Sequence, residues 1–538
     1  MRSRHTNRHT SQRSRHFVGI ALLVLTGTVA AGCRSGKDLR NAGYDLPPVT
    51  TQPANTQPGG STAPPSSLQP GETVPPGQTT PETAAETTVA PPTTLPTLLD
   101  TLPPCDVSLL DSATSPVEVL FWHGLSNENG DALTRLTDQY NASQDKVRIN
   151  LQFQGGYNET IDKYLQSNSE NRPDLVQMPE YMVQQMIDTK SIVPTQACAD
   201  SADYDLSTFL PQALGAYATQ GVQWSMPFNM SVPVLFYLRT DFVQAGLDPD
   251  NPPETLDELF VQGQQIVSSG AASYSISLDS DFDGGGGWYV EQWLAKGGNF
   301  YADNENGRAA PATRVLYDEA AGLELMTYLQ KLVNEGGALY VGDNASGQDT
   351  LLALADATAP AAMAVSTSAA LGLVLTVLAN GLIPGITTED VGIGMMPGPD
   401  GGLGALVGGN SLYIVDKSDI KAAAAWDYME FLLTAQVQSE FAAASGYVPV
   451  RSDALDLDPI KSVYINDPRF KVAYDQLLGS RDAPTSNGPV IGPLQQVRRI
   501  TAAAVAAILT GADPQTALSD AARQANDAIA IYNLANSD

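Results

Sequence analysis

From Pro116 onward, short apolar runs alternate with amphipathic segments. A short continuous apolar run is typical of a buried strand, and apolar residues three or four apart are typical of a helix that packs on it. The pattern predicts strands at 117–122, 147–153 and 173–178, with helices around 133–140 and 159–167. This order predicts an α/β fold in which helices cover both faces of a mostly parallel sheet.

The stretch Trp224–Asp241 has a polar, turn-prone beginning and an apolar run from Val232 to Leu238. The run predicts a fully buried strand. The side chains of Asn229 and Ser231, just before the run, suit the entrance of a binding cleft. An ordinary core strand that follows a loop is the alternative interpretation.

The remaining elements predict a second large unit, for which the chain is long enough. Thr255, followed three residues later by Glu258, predicts a capping box at the start of a helix. Further helices are predicted at 320–335 and 349–357 and through most of the C-terminal region, and further strands at 361–365, 391–396 and 408–415.

Residues at the ends of the predicted strands are the first site candidates, because ligands of open α/β sheets bind at the carboxyl ends of strands. These residues are Trp122, His123, Gly156, Tyr157 and Glu180. Beyond residue 32, His123 is the only histidine in the chain. A histidine metal cluster is thereby excluded, and we expect His123 to form a hydrogen bond at the cleft edge rather than to act in catalysis.

The N-terminus has the features of an export signal. Five arginines precede a short apolar segment, 17–31, which is too short for a stable membrane span. The end of this segment, Val29–Cys33, resembles a bacterial lipobox, which implies a signal peptide at 1–32 and lipidation of Cys33. Ala30 departs from the larger aliphatic residue of that pattern, and ordinary cleavage after the alanines is the alternative.

Residues 33–115 are predicted to be a disordered tether, because this Thr- and Pro-rich segment has too few large apolar residues to offset the entropy of ordering. Removal of residues 1–32 takes away five arginines and no acid, which changes the net charge from −30 to −35. So acidic a protein is not expected to bind nucleic acid, since phosphate contacts need clustered Lys and Arg.

Cys105 and Cys198 are the only cysteines after Cys33. An even pair in an exported protein predicts one disulfide, which would join the start of the folded region to the turn at 194–200. Two buried free thiols are the alternative.

Nine blocks of sequence are spread over about residues 117–535. They are FWHG at Phe121, GGYNET at Gly155, MPFNMSVPVLFY at Met226, AGLDPDNPPETLDEL at Ala245, AMAVSTSAAL at Ala362, VGIGMMPGP at Val391, VGGNSLYIV at Val407, SGYVPV at Ser445 and QQVRR at Gln495. In this order the blocks are similar to the extracellular solute-binding proteins of ABC importers, nearest the glycerol-3-phosphate-binding branch of the sugar-binding family.

The resemblance implies a two-lobed, type II periplasmic-binding-protein-like fold whose lobes are joined by hinge crossings and close on a ligand. We expect one lobe to comprise 116–230 and 369–411 and the other 231–368 and 412–538. The ligand contacts implied by the family are Tyr157, Glu180, Ser231, Trp288, Thr367, Ser368, Gly408, Tyr447 and Arg498.

Each implied contact has a plausible chemical role. Glu180 is suited to accept hydrogen bonds from polyol hydroxyls, Trp288 to form an apolar wall, and Arg498 to offer its planar set of donors to a phosphate. Without the resemblance, Arg498 would be interpreted as a surface arginine beside Arg499.

One position departs from the glycerol-3-phosphate binders, in which we expect two tryptophans three residues apart. Here Gly285 stands where the first would be, before Trp288. A wider pocket would accept a larger head on the phosphate, and a choline group over Trp288 or Tyr289 would gain cation–π attraction.

The acidic segment that precedes this glycine matches the first part of a calcium loop at Asp279, Asp281, Asp283 and Gly284. Val290 stands where such a loop needs a bidentate glutamate, so an acidic cleft loop is the preferred interpretation. No metal and no cofactor is predicted.

The resulting hypothesis is a monomeric receptor, not an enzyme, anchored through Cys33 at the outer face of the cytoplasmic membrane. It would bind glycerol-3-phosphate or a glycerophosphodiester such as glycerophosphocholine and deliver it to ABC permease subunits. An oligosaccharide or sugar receptor of the same fold is the alternative. A secreted glycerophosphodiester hydrolase is less favoured, because such enzymes need a metal site or a histidine pair.

Overall fold

The computed structural model describes Leu98, residues 101–344 and residues 347–537. The predicted signal peptide, the lipidation site Cys33 and the tether as far as residue 97 lie outside the described residues. Residues 101–115, which we predicted to belong to the tether, are folded. A short 3-10 helix, Val107–Ser112, packs there on the helix Asp419–Leu432 with Leu110 buried. Cys105 is bonded to Cys198, which confirms the predicted disulfide.

The elements agree closely with the pattern of apolar residues. The strands are β1 (Val117–His123), β2 (Val147–Phe153), β3 (Leu175–Pro179), β4 (Ile192–Val193), β5 (Ala218–Thr219), β6 (Val222–Gln223), β7 (Met226–Ser231), β8 (Pro233–Leu238), β9 (Tyr274–Leu278), β10 (Leu339–Tyr340), β11 (Ala361–Thr367), β12 (Val391–Met395) and β13 (Gly408–Val415).

Helices occupy most of the remaining described sequence, and Asp303–Gly307 forms a left-handed turn. The helices are α1 (Asn127–Ser143), α2 (Tyr157–Gln166), α3 (Val183–Asp188), α4 (Thr195–Ser201), α5 (Pro211–Tyr217), α6 (Arg239–Gln244), α7 (Leu256–Ser269), α8 (Trp288–Lys296), α9 (Ala320–Asn334), α10 (Asp349–Leu352), α11 (Leu371–Ala379), α12 (Asp419–Leu432), α13 (Ala435–Ser445), α14 (Ile460–Asn466), α15 (Val472–Leu478), α16 (Leu494–Leu509) and α17 (Pro514–Ala535). The predicted capping box at the start of α7 is present, since Thr255 and Glu258 exchange their hydrogen bonds.

The described strands form two main sheets and a two-stranded ribbon, β5–β6. The first sheet has the order β2-β1-β3-β13-β4, with β7 also paired to β13, and the second has the order β10-β9-β11-β8-β12. Both sheets are mixed, so the expectation of mostly parallel sheets is wrong. Strands β1, β2 and β3 are parallel, whereas β13 runs antiparallel to β3. The reversal arises because β13 enters the first sheet from the second and not through a strand–helix–strand crossover.

Apolar side chains cover both faces of the second sheet, and β8 shows how. Val234 and Phe236 belong to one apolar core, and Leu235 and Tyr237 to the other. All four side chains are buried. This two-sided burial explains the continuous apolar run that predicted a buried strand.

The stretch 224–241 forms two strands where we predicted one. Strand β7 pairs with β13 in the first sheet, and β8 pairs with β11 and β12 in the second. Val232 alone separates β7 from β8, and its backbone N–H and C=O are bonded to the side chain and backbone of Ser368. The chain therefore crosses between the sheets at Val232.

Sheet membership differs from the expected lobe ranges in two places. Strand β12, which we placed in the first lobe, pairs with β8 in the second sheet. We placed residues from 412 onward in the second lobe. However, the end of β13 belongs to the first sheet, and the helices α12 and α13 pack against β1 of that sheet and against α1. The antiparallel return of β13 brings these helices back to the first sheet.

Candidate ligand-binding cleft

A polar cavity of about 270 Å³ lies where residues from the two sheets meet. Strand β3 leads directly to Glu180, α2 begins with Tyr157, and β7, β11 and β13 end or begin at the cavity wall. Seven of the nine predicted contacts line it: Tyr157, Glu180, Ser231, Trp288, Thr367, Gly408 and Tyr447. The fold thus gathers residues that are distant in sequence around one cavity.

Arg498 is not in the cavity wall but lies behind it, with its side chain 1% exposed. Its Nε donates to Oε1 of Glu291 over 2.6 Å, and its Nη2 donates to Oε2 over 2.8 Å. Its Nη1 lies 3.0 Å from Oε1 of Glu180 and donates to Oδ1 of Asp283 over 3.2 Å. The guanidinium that we expected to face a phosphate is therefore occupied by three carboxylates.

These carboxylates hold protons more strongly than usual. Burial raises the pKa of Glu180 to about 8, although the charge of Arg498 acts in the opposite direction. Burial also raises the pKa of Glu291. One guanidinium faces three carboxyl groups here, so the cavity floor is acidic.

Two tyrosine hydroxyls form the opposite part of the wall. The hydroxyls of Tyr157 and Tyr447 lie 3.2 Å apart. Behind them, the side chain of Gln177 donates to Oδ1 of Asn229 over 2.7 Å and accepts from the backbone of Gly124 over 3.0 Å. This buried chain of hydrogen bonds fixes the amide of Asn229 beside the hydroxyl of Tyr157.

Two polar groups at the cavity lack partners among the described residues. The indole Nε1 of Trp288 and both polar atoms of the Asn410 amide are buried and form no hydrogen bond there. Buried polar groups are almost always satisfied in folded proteins. Unpaired donors and acceptors at the wall of a polar cavity are suited to a hydroxylated ligand.

Trp288 packs closely on β13. A Cβ atom added to Gly408 would lie 2.2 Å from the indole ring, which only a glycine avoids. The indole ring consequently packs closely against the start of this strand. Both residues, which the resemblance implied as contacts, line the cavity, and the close approach explains the glycine.

The glycine-rich loop before Trp288 folds back on itself. Asp279 accepts hydrogen bonds from the backbone N–H groups of Asp281 and Gly285, over 2.9 and 2.8 Å. A Cβ added to Gly285 would lie 2.3 Å from the carbonyl oxygen of Asp279. Gly285 thus packs behind the cavity wall, where its lack of a side chain does not widen the pocket as we expected.

Two other candidates lie outside the cavity wall. Ser368 is bonded to Val232 at the crossing between the sheets. His123 is buried between Phe121 and Phe153, and burial lowers its pKa to about 4. A neutral, enclosed imidazole has no access to a ligand in the cavity, so His123 does not form the cleft edge.

We predicted that the acidic segment is a cleft loop, and two of its carboxylates, Asp281 and Asp283, line the cavity, although neither was named as a contact. Sequence reasoning missed Ser366 and Asn410, which lie beside the predicted residues Thr367 and Gly408. No group of three or more potential metal ligands converges in the part of the chain that the structure describes. Within the same part, no helix is long and apolar enough to cross a membrane.

Comparison with known proteins assigns the chain to a family. The family of bacterial extracellular solute-binding proteins matches residues 135–471, more than half of the chain. The chain belongs to this family. Its members are the substrate-binding components of ABC importers and not enzymes.

Curated relatives of this solute-binding protein include two named for glycerol-3-phosphate. It is 25% identical over 439 residues to the sn-glycerol-3-phosphate-binding periplasmic protein UgpB of Yersinia pseudotuberculosis, covering 79% of this chain and 95% of that protein. It is 27% identical over 428 residues to UgpB of Pectobacterium atrosepticum, covering 77% and 91%.

Solved structures confirm the predicted two-lobed, type II periplasmic-binding-protein fold. UgpB from Mycobacterium tuberculosis in complex with glycerophosphocholine has a TM-score of 0.63 at 21% identity, covering 78% of this chain and 100% of that chain. The sugar-binding protein MalE from Xanthomonas citri has a TM-score of 0.65 at 17% identity, with 78% and 100% covered. The cyclic α-maltosyl-1,6-maltose binding protein from Arthrobacter globiformis has a TM-score of 0.62 at 23% identity, with 77% and 99% covered.

Proposed function

We propose that this solute-binding protein captures a glycerophosphodiester such as glycerophosphocholine, with glycerol-3-phosphate as a weaker ligand, and delivers it to a membrane permease. One observation favours a glycerophosphodiester over glycerol-3-phosphate. Among the described residues that line the cavity, none is lysine, arginine or histidine. A dianionic phosphate would therefore find neutral donors only, whereas a zwitterion brings its own cation.

The acidic and aromatic residues of the wall suit that cation. Asp281, Asp283 and Glu180 line the same cavity as the rings of Trp288 and Tyr289. A quaternary ammonium over an aromatic ring gains about 0.5 to 2 kcal/mol, depending on its desolvation. The glycerol hydroxyls would bond to the tyrosine hydroxyls and to the unpaired groups of the wall. The relatives named for glycerol-3-phosphate and the glycerophosphocholine complex of the Mycobacterium tuberculosis protein support this ligand class.

An oligosaccharide is the second candidate, and the aromatic rings of the wall favour it. Four rings surround the cavity, those of Tyr157, Trp288, Tyr289 and Tyr447. Flat apolar faces with convergent hydroxyl and amide groups are typical of polyol and sugar sites. Two of the similar structures bear the names of sugar-binding proteins.

Membrane attachment completes the proposal. Cys33 would be lipidated after removal of residues 1–32 and would anchor a monomeric receptor at the outer face of the cytoplasmic membrane. Replacement of Cys33 by alanine should then move the protein from the membrane fraction to the soluble exported fraction.

Calorimetric titration of the full-length protein with glycerophosphocholine, glycerol-3-phosphate and maltose tests the ligand. We expect saturable binding of glycerophosphocholine without product, and a loss of at least tenfold in Trp288→Leu. Phe153→Leu is the control, because this exposed aromatic residue at the end of β2 lies outside the cavity wall. Tighter binding of maltose than of either phosphate compound would favour the oligosaccharide receptor.

A further inference from the structure

We propose that Glu291 is a specificity-determining residue of the cleft: it holds Arg498 behind the cavity wall and so withholds the nearest buried cation from an anionic ligand. This inference deepens the function proposed above and rests on the same cavity. Glu291 lies in the first turn of α8 and does not itself line the cavity.

Glu291 and Arg498 form a buried, bidentate ion pair. Both side chains are 1% exposed, and two parallel hydrogen bonds join them. Bidentate guanidinium–carboxylate pairs of this kind fix both groups in one plane. Glu291 therefore determines where the guanidinium of Arg498 lies.

The carboxyl groups around Arg498 outnumber its single positive charge. The remaining terminal nitrogen of Arg498 faces Glu180 and Asp283, which do line the cavity. The cavity thus meets the carboxylates of this cluster, while the positive charge lies behind them. Arg498 acts here as a positioning residue for two carboxylates.

Coulomb's law relates this charge distribution to the affinity for an anionic ligand. A ligand in the cavity experiences the sum of one guanidinium and three carboxyl groups, which is unfavourable for an anion. Neutralising Glu291 removes the negative charge that is bound most closely to Arg498 and keeps the positive charge of the guanidinium. Since charges a few ångströms apart interact strongly in a partly desolvated site, the affinity for a phosphate anion should rise by at least about tenfold.

The test is the dissociation constant of glycerol-3-phosphate, measured by calorimetry for the full-length wild type, Glu291→Gln and Glu291→Asp. We expect Glu291→Gln to bind glycerol-3-phosphate at least tenfold more tightly than the wild type. Glu291→Asp keeps the charge and should stay within about threefold of the wild type. Glu324→Gln removes an equal charge from the exposed face of α9 and controls for net charge.

Three results would overturn the inference: equal affinity of the wild type and Glu291→Gln, no binding by either, or an equal gain in Glu291→Asp. If circular dichroism shows that Glu291→Gln does not fold, Asp283→Asn decides. It removes a charge from the same guanidinium on a side chain that is 49% exposed, and an unchanged affinity there is also a refutation. If the wild type fails to bind glycerophosphocholine while Glu291→Gln gains affinity for glycerol-3-phosphate, the proposed ligand is wrong and the role of Glu291 stands.

Discussion

Replacement of Arg498 by methionine is the most informative test of the cluster behind the cleft. Methionine has a similar length and no charge, so the change leaves Glu180, Glu291 and Asp283 without their shared cation. Removal of one partner from a buried ion pair costs about 3 to 5 kcal/mol of unfolding free energy. We expect a loss of this size at pH 8.

The loss should depend on pH, and its sign follows from the carboxyl groups. Burial raises the folded-state pKa of Glu180 to about 8 and also raises that of Glu291, both above the ordinary value of 4.5. A carboxyl group with a raised folded-state pKa contributes stability at low pH, and that contribution is lost as the pH rises towards the folded-state pKa. Without Arg498, these pKa values rise further, so the variant retains protons that the wild type releases.

The pH dependence sets the size of the effect. If the folded variant binds about one more proton than the folded wild type, its deficit shrinks by roughly 1.4 kcal/mol for each unit by which the pH is lowered. We therefore expect the deficit to be smaller at pH 6 than at pH 8.

Urea denaturation monitored by tryptophan fluorescence at the two pH values measures both quantities. Arg523→Met is the matched control, because Arg523 is exposed on α17 and pairs with Asp520 rather than with the cluster. A deficit below about 1 kcal/mol at pH 8, or an equal deficit at both pH values, would contradict the reasoning.

Three further predictions concern separate parts of the fold. Replacing both Cys105 and Cys198 by serine opens a loop with a sequence separation of 93 residues and should lower the unfolding free energy by about 3 to 5 kcal/mol relative to the oxidised wild type. A reduced wild-type sample is the control and should match the variant. Gly408→Ala should weaken glycerophosphocholine binding at least tenfold in calorimetry, because the added Cβ would lie 2.2 Å from the ring of Trp288, and unchanged affinity would show that the ring moves freely. Thr255→Ala removes the capping box of α7 and should cost about 1 kcal/mol in denaturation with no change in ligand affinity; a change in affinity would show that α7 is coupled to the cleft.

Local sequence was sufficient to predict individual elements. Strands β2 and β13 have the bounds that the apolar pattern predicted, because a half-buried strand such as β2 and a buried strand such as β13 are both recognisable from their own few residues. The capping box of Thr255 was equally local. Seven of the nine site residues implied by the family resemblance line the cavity. The resemblance supplied long-range information that the periodicity of apolar residues does not contain.

The break at Val232 shows where local information ends. The run through β7 and β8 is continuous in its burial, and a single residue moves the chain from one sheet to the other. Strand pairing decides this, and pairing depends on β11, β12 and β13, which are more than a hundred residues away. The same cause lies behind the mixed sheets and the two places where sheet membership differs from the expected lobe ranges.

The sequence by itself determined the positions of most helices and strands, the cysteine pair and the acidic character of the protein, since each depends on residue type and local spacing. Only the tertiary structure decided that Gly285 packs behind the wall and that Arg498 faces carboxylates. A charged side chain bonds to whichever partners the fold brings within reach, and for Arg498 those partners come from two distant parts of the chain: Glu180 after β3, and Asp283 with Glu291 around the start of α8.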